Sequence, residues 1–355
     1  MKKILIIAPS RKMGGIERAL SVLSNEFIKK NVKVTYVSCL NSISFYELDA
    51  AVIVKEPNFK RSGGLLNKIL FYPRLFLYLR KQIKIEKPNS VLCFGDLFNP
   101  LALMASIGLK VPVYISDRTS PDFKFPKYIN WLKKIFYPKA SGFIAQTQRS
   151  FDYKRKEFGV HFNQIIIPNA IRAIKKYDVE KEKIIFYAGR FSWEKNPEAL
   201  VRAFANISEK ENWQLVMAGE GPQLELIKNL TSELKIIDQV LFLGAITTID
   251  EWLCKASVFV LPSLLEGFPN ALCEAMSAGL PVVCFDSIPY ESLFEPGVSG
   301  EVVPLGDIEG LSKTLQKLMT DKTLREQFSK EASQRARNWK KDVIVDKYME
   351  FLKLL

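Results

Sequence analysis

Cysteine is sparse and scattered in this chain. Cys39, Cys93, Cys254, Cys273 and Cys284 are odd in number and contain no CxxC pair. That excludes a disulfide framework and a cysteine zinc site, and it suits reduced core residues in a cytoplasmic protein. Long apolar runs are missing as well. No stretch approaches the ~20 residues of a membrane-spanning helix, and the apolar run within residues 1–9 is too short for a signal peptide. No suitable loop carries an Asp-x-Asp pair to hold a metal. Short internal repeats and low-complexity tracts are also lacking.

What is present is a globular composition, with 48% hydrophobic and 25% charged residues. The 355 residues exceed one ordinary core and suit two domains. The net charge of +13 is unevenly spread. Residues 1–170 hold 28 Lys and Arg against 11 Asp and Glu, a net +17; residues 171–355 hold 23 against 27, a net −4. Two readings of the basic half are open: solvated lysines, or a face turned towards something anionic, a membrane surface or nucleic acid. No RNA-binding signature supports nucleic acid. Residues 65–85 mix bulky apolar side chains with Lys68, Arg74, Arg80, Lys81 and Lys84. Helical spacing makes this an interfacial helix or a core helix with a basic outer face, and Pro73 is expected to kink or split it.

Strand and helix signals alternate along the chain. Apolar runs at 4–8, 32–39, 91–94, 113–116, 142–146 and 164–168 read as buried parallel strands. The pattern restarts at 184–188, 214–218, 240–244, 258–262 and 282–285, after a join near 169–179 and a charged stretch at 175–183 that suits a linker. The fold class is therefore α/β, in two halves of similar size. The first strand leads into the loop 10–15, which ends in Gly14-Gly15 and opens a helix. Loops at such strand ends are where open α/β sheets bind ligands.

The stretch Glu266-Gly267-Phe268-Pro269-Asn270-Ala271-Leu272-Cys273-Glu274 carries the richest chemistry. Pro269 fits the first position of a helix. Free backbone N–H groups after it, near Asn270 and Ala271, then form an anion site strengthened by the helix dipole. A carboxylate on either side adds acceptors for hydroxyl-rich rings. Together these suit a sugar attached to a diphosphate. After the strand at 184–188 comes Gly189-Arg190-Phe191-Ser192-Trp193-Glu194-Lys195-Asn196-Pro197. Gly189 permits a sharp turn, and Arg190 and Lys195 can converge on one anion. Without an acidic metal-binding pair, a diphosphate leaving group has to be neutralised by these cations and by backbone dipoles.

With Gly14-Gly15, Gly189-Arg190 with Lys195, Ala218-Gly219-Glu220-Gly221-Pro222 and Glu266 to Glu274, the chain resembles the GT-B glycosyltransferases of the large retaining family four. The resemblance covers nearly the whole length. It implies two Rossmann-like domains, 1–170 for the acceptor and 171–337 for the nucleotide sugar, facing across a cleft. A C-terminal helix in 338–355 would cross back to the first domain. It also implies retaining, metal-independent transfer from a nucleotide sugar, UDP-linked, with no other cofactor. Arg190 and Lys195 match the diphosphate-binding pair, Glu266 the carboxylate facing the donor sugar, and Glu274 the one holding the ribose. Gly15, Gly189 and Gly219 match donor-side loop positions. Gly267, Phe268, Pro269, Asn270 and Ala271 fall where backbone holds sugar hydroxyls and β-phosphate, and Leu243, Gly244 and Ala245 where the base lies.

Relatives often carry a histidine in the loop after the strand at 113–116. Here that loop reads Ser116-Asp117-Arg118-Thr119-Ser120-Pro121, and the single histidine, His161, lies elsewhere. Gly14, Asp117 and Arg118 are the acceptor-side candidates. The loop resembles those of members that build O-antigen, capsule or lipid-linked glycans. The implied acceptor is thus a surface-polysaccharide or undecaprenyl-diphosphate-linked glycan, with the basic half on the inner membrane surface. Alternatives are a transferase with a soluble acceptor and a non-catalytic nucleotide-sugar-binding subunit.

Overall fold

Short runs rich in Ile, Val, Leu and Phe become strands buried on both faces, and the longer amphipathic segments between them become helices. The computed structural model describes all residues except Met13, residues 62–64, Glu209 and Glu211, and only the backbone of residues 65, 66 and 68. The side chain of Lys68 and the Met13 position in the 10–15 loop therefore lie outside the described residues. Two compact units result, residues 1–170 with 341–355 and residues 171–340.

The first unit runs β1 (Lys3–Ala8), α1 (Gly15–Lys29), β2 (Lys33–Ser38), β3 (Ile53–Lys55), α2 (Leu65–Glu86), β4 (Ser90–Phe94), α3 (Asn99–Ser106), β5 (Val113–Ser116), α4 (Lys127–Phe136), β6 (Gly142–Ala145), α5 (Gln148–Phe158) and β7 (Gln164–Ile166). Its parallel sheet has the order β3-β2-β1-β4-β5-β6-β7. The second runs β8 (Ile184–Ala188), α6 (Pro197–Ala205), β9 (Gln214–Ala218), α7 (Leu224–Glu233), β10 (Val240–Gly244), α8 (Ile249–Lys255), β11 (Val258–Leu261), α9 (Asn270–Ser277), β12 (Val282–Phe285), β13 (Gly300–Val303), α10 (Ile308–Thr320) and α11 (Lys322–Ala336). Its sheet is ordered β10-β9-β8-β11-β12-β13. Both are doubly wound, as expected from the alternation. The edge strands β3 and β13 are additions to the expected set: both are very short, the apolar residues 51–54 only partly overlap β3, and β13 opens with Gly300-Glu301.

The last helix, α12 (Lys341–Phe351), belongs to the first unit. Ile344, Val345, Tyr348 and Met349 enter the core formed by β1, β2 and α1. Arg118 binds it from the other side: its guanidinium donates to Tyr348 Oη at 2.8 Å and to Asn169 Oδ1 at 2.7 Å, and stacks 3.4 Å from the Phe94 ring centroid.

α2 runs unbroken through Pro73, so the helix is not split there. Pro73 is exposed, so the carbonyl that loses its partner lies on the water-facing side. Phe71, Leu75, Leu79 and Ile83, spaced by four, pack into the core, so this apolar stripe is not a membrane face. Arg80 is also committed, donating to the carbonyls of Ala105 and Ile107 at the end of α3. Among the described residues no helix is long and apolar enough to cross a membrane.

Replacing Tyr348 by Phe removes one acceptor from the half-buried Arg118 guanidinium. Urea unfolding is expected to show a loss of about 1–3 kcal/mol.

Candidate active site

In each sheet the strand order reverses direction at one place, and loops on either side of that place part to leave a crevice. In the second unit the reversal lies between β8 and β11. The loop 189–196 follows β8 and the loop 262–269 follows β11, so the two richest motifs of the sequence meet there. Backbone bonds lock them together, with the Glu194 carbonyl accepting from Leu264 N at 2.8 Å. Gly189 N–H donates to Ala218 O, and Gly219 N–H to Gly244 O at 2.8 Å, which ties the β8, β9 and β10 loops into one layer. Gly219 sits at φ +135, and a Cβ there would overlap the Gly189 carbonyl oxygen. Only glycine fits this approach.

Lys195 Nζ donates to Glu266 Oε1 at 2.5 Å, and Ser263 Oγ donates to the same oxygen at 2.8 Å. The Glu266 side chain is 8% exposed and Lys195 is 26% exposed, so the pair lies at the floor of the crevice with one end open. Arg190 is exposed, and no ion pair or hydrogen bond engages its guanidinium among the described residues. Its carbonyl instead accepts from Tyr187 Oη at 2.9 Å. Burial, with the charges of Glu266 and Glu194 beside it, pushes the Tyr187 phenol far up, so it remains a donor. The site thus combines an exposed guanidinium, an ammonium already shared with a carboxylate, and aligned backbone. That combination receives an anion and a hydroxyl-bearing group side by side.

Pro269 does not begin α9 as expected. Its ψ of 77 with φ −82 makes an inverse γ-turn, in which Asn270 N–H donates to Phe268 O at 3.0 Å. The helix starts at Asn270, and the Asn270 amide is consumed by the turn. The amides of the first helical turn that follow, from Ala271 on, are those that an α-helix leaves without an intrahelical partner. Gly267 is half-buried, whereas the Phe268 ring turns into the core and meets Trp339 edge to face. Leu243 and Gly244 (φ 66) are half-buried and Ala245 is exposed at the neighbouring strand end. Glu274 is buried on α9, with Arg172 Nη2 3.4 Å away, and Arg172 in turn pairs with Asp250 on α8. Burial works against the Arg172 charge, but Asp250 and Glu274 outweigh it and its pKa rises.

The first unit holds Gly14 and Gly15 at the start of α1, where Ser10 Oγ donates to Glu17 Oε1 at 2.6 Å. It also holds Asp117, at the end of β5, in a buried ionic cluster. Tyr137 Oη donates to Asp117 Oδ1 at 2.5 Å, Asn99 Nδ2 donates to the same oxygen at 3.0 Å, and Lys133 Nζ and Lys154 Nζ lie 3.1 Å and 3.2 Å from Asp117 Oδ2. Lys133 also reaches Asp96 at 2.5 Å. Burial alone would raise the Asp117 pKa, yet Lys154 and Lys133 hold it below the usual carboxylate range. Burial and the Asp117 charge push Asp96 up. Asp96, Asp117, Lys133 and Lys154 line a cavity of about 470 Å³ that Lys124 and Lys134 border. Asp117 faces it; Arg118, half-buried between Phe94, Asn169 and Tyr348, does not line it. Among the described residues no three His, Cys, Asp or Glu side chains gather as a metal centre would.

The model of Glycosyltransferase Family 4 matches residues 13–173, and that of Glycosyl transferases group 1 matches residues 170–335. A putative glycosyltransferase of Bacillus subtilis, EpsF, is 40% identical over 314 residues, covering 81% of this chain and 80% of that one. The chain belongs to glycosyltransferase family four. The Campylobacter jejuni enzyme named GalNAc-alpha-(1->4)-GalNAc-alpha-(1->3)-diNAcBac-PP-undecaprenol alpha-1,4-N-acetyl-D-galactosaminyltransferase is 28% identical over 99% of this chain and 98% of its own. Among solved structures, sucrose-phosphate synthase from Thermosynechococcus elongatus superposes with TM-score 0.86 at 17% identity, covering 100% of this chain and 99% of that one. Anabaena HepE in complex with UDP gives 0.82 at 18%, covering 100% of both. The fold of this family-four glycosyltransferase is therefore GT-B.

Sequence reading of the glycosyltransferase missed Ser263, Arg172 and Asp250, and in the first unit Asp96, Lys133, Tyr137 and Lys154. One signal was available. Gly95-Asp96 follows β4, which lies beside β1 where the first sheet reverses. The lysines carried none, since a lysine on a helix ordinarily points to water.

Two outcomes are expected. Gly219→Ala places a side chain at positive φ against backbone, and should cost about 3 kcal/mol or more by chemical denaturation. Asp117→Asn leaves two buried ammonium groups short of a counter-charge, and should cost about 3 kcal/mol at neutral pH. The Asp117 contribution is full above its unfolded pKa of ~3.9 and is lost as pH falls through its lower folded value. The gap between wild type and variant should therefore close in acid.

Proposed function

We propose that this glycosyltransferase is retaining and metal-independent, and that it moves a hexose or N-acetylhexosamine from a UDP-sugar to an undecaprenyl-diphosphate-linked or surface-polysaccharide glycan. The observation that carries the donor half is Glu266 sharing Lys195 beside the exposed Arg190 at the sheet's reversal point. In this reading Arg190 and Lys195 take the diphosphate and Glu266 a hydroxyl of the donor sugar. Glu274, braced by Arg172, takes the ribose. The first-turn amides of α9 and the backbone at Gly267 complete the phosphate and sugar contacts, while Leu243, Gly244 and Ala245 flank the base.

The chemistry then needs little from an enzymatic base. The bond between the anomeric carbon and the diphosphate oxygen breaks, and the electron pair leaves with the diphosphate. An acceptor hydroxyl bonds the same carbon from the leaving-group side and passes its proton to the departing phosphate oxygen. Cations and aligned amides stabilise the charge that develops there. UDP complexes of HepE, including one with UDP and glucose, support the choice of donor. The acceptor is supported by two Campylobacter jejuni relatives whose names carry diphospho-undecaprenol or PP-undecaprenol substrates. The cavity at Asp117 offers the lysines and carboxylates that a sugar or diphosphate of such an acceptor would bind. Its place is then the cytoplasmic face of the membrane, held peripherally.

The experiment is turnover of UDP-N-acetylgalactosamine with a polyprenyl-diphosphate-linked glycan, with products read by mass and by NMR. The expected product keeps the donor's anomeric configuration, and the rate is the same with and without EDTA. Glu266→Gln and Lys195→Met should each lower kcat by about 10²–10³. An inverted product, or loss of activity in EDTA, would sink this reading.

A further inference from the structure

Helix α4 is built inside out. At about 100° per residue, Tyr128, Trp131 and Ile135 fall within about 60° of arc. They face outward, at 63%, 61% and 37% exposure. Lys133 is buried instead, at 4%. A helix in water ordinarily hides its tryptophan and exposes its lysine. Lys133 is compensated by Asp96, Asp117 and the Phe125 ring. Among the described residues no ring contact or ion pair covers the aromatic face, which stands open to water.

Its flanks are cationic. Lys127 and Lys134 occupy the arc next to Trp131, Lys124 precedes the helix and Lys139 follows it, all exposed. The helix itself contains no acidic residue. Asn130 and Lys134 border the cavity at Asp117, and the exposed Phe123 and Tyr153 line it too. α2 also exposes Ile69, Tyr72, Leu77 and Ile85, but at about 100° per residue these spread over more than half of its circumference instead of forming one face, and its Arg80 caps α3.

We propose that α4 is the element that docks this protein on an anionic bilayer. Tyr128, Trp131 and Ile135 enter the headgroup boundary, and Lys124, Lys127, Lys134 and Lys139 pair with lipid phosphates. Amphipathic aromatics favour that boundary, and each lysine near it adds attraction to anionic lipid. Lysine is depleted in protein–protein contacts, which disfavours a protein occupant. The proposal rests on the reading of a lipid-linked acceptor, since it sets the cavity at Asp117 beside the lipid.

The test is co-sedimentation of the full chain with vesicles of phosphatidylcholine alone, and of equal parts phosphatidylcholine and phosphatidylglycerol. Wild type should bind the mixed vesicles. Trp131→Ser with Tyr128→Ser, and separately Lys127→Ser with Lys134→Ser, should each weaken binding roughly tenfold or more. Lys81→Ser with Lys84→Ser on α2 should leave it unchanged. Circular dichroism checks that each variant is folded, and UDP binding on the same samples reads the donor site separately. Loss of vesicle binding with UDP binding intact supports the proposal. Trp131-dependent vesicle binding without UDP binding also supports it, and counts only against the donor reading. Wild type that ignores vesicles, α4 variants that bind as wild type, or a dimer that Trp131→Ser dissociates without any vesicle binding would each overturn it.

Discussion

Every strand in both sheets pairs in parallel. Parallel pairing requires a crossover after each strand, so all the loops that leave strand ends collect on one edge of the sheet. Where the winding reverses, two of these loops have no crossover helix wedged between them, and a crevice opens. The Lys195–Glu266 pair and the exposed Arg190 stand in that crevice because β8 and β11 are neighbours in space, although they are far apart along the chain. Beside it, Gly219 lets the loop after β9 approach the Gly189 carbonyl closer than any side chain would allow.

The two units use charge in opposite ways. At the β8–β11 crevice the ionic groups are half-open, and Arg190 retains its donors for a ligand. At Asp117 the charges are almost wholly enclosed, with two ammonium groups and two carboxylates balancing one another in a low-dielectric pocket. Enclosed groups of this kind are costly to leave unpaired, so the cluster holds β4, β5, α4 and α5 to one arrangement. It also explains α4: once Lys133 is drawn inward to Asp96 and Asp117, the opposite face of the helix must turn Tyr128 and Trp131 outward.

The same inversion bears on the +17 of the first half. A net charge describes attraction without direction. The exposed aromatics on α4 supply a direction, whereas α2, the more basic and apolar segment by sequence, spends its stripe on the core.

Composition and periodicity alone gave the α/β class, the division into two halves and the loaded loops at Arg190, Lys195, Glu266 and Glu274. These are local signals: apolar runs of strand length, glycine at strand ends, and charged residues packed into short loops. Pro269 was misplaced by one position, since φ is fixed by its ring but ψ is not. The edge strands β3 and β13 were not read because they are only three and four residues long and each contains charged or small residues, Lys55 in one and Gly300-Glu301 in the other. The Asp117 cluster, the Arg172–Glu274 contact and the role of Arg118 beneath α12 join residues far apart in sequence, and only the tertiary structure decided them. A charged side chain looks the same in a sequence whether it meets water or a buried partner. Which it meets is settled by desolvation, and desolvation exists only once the chain has packed.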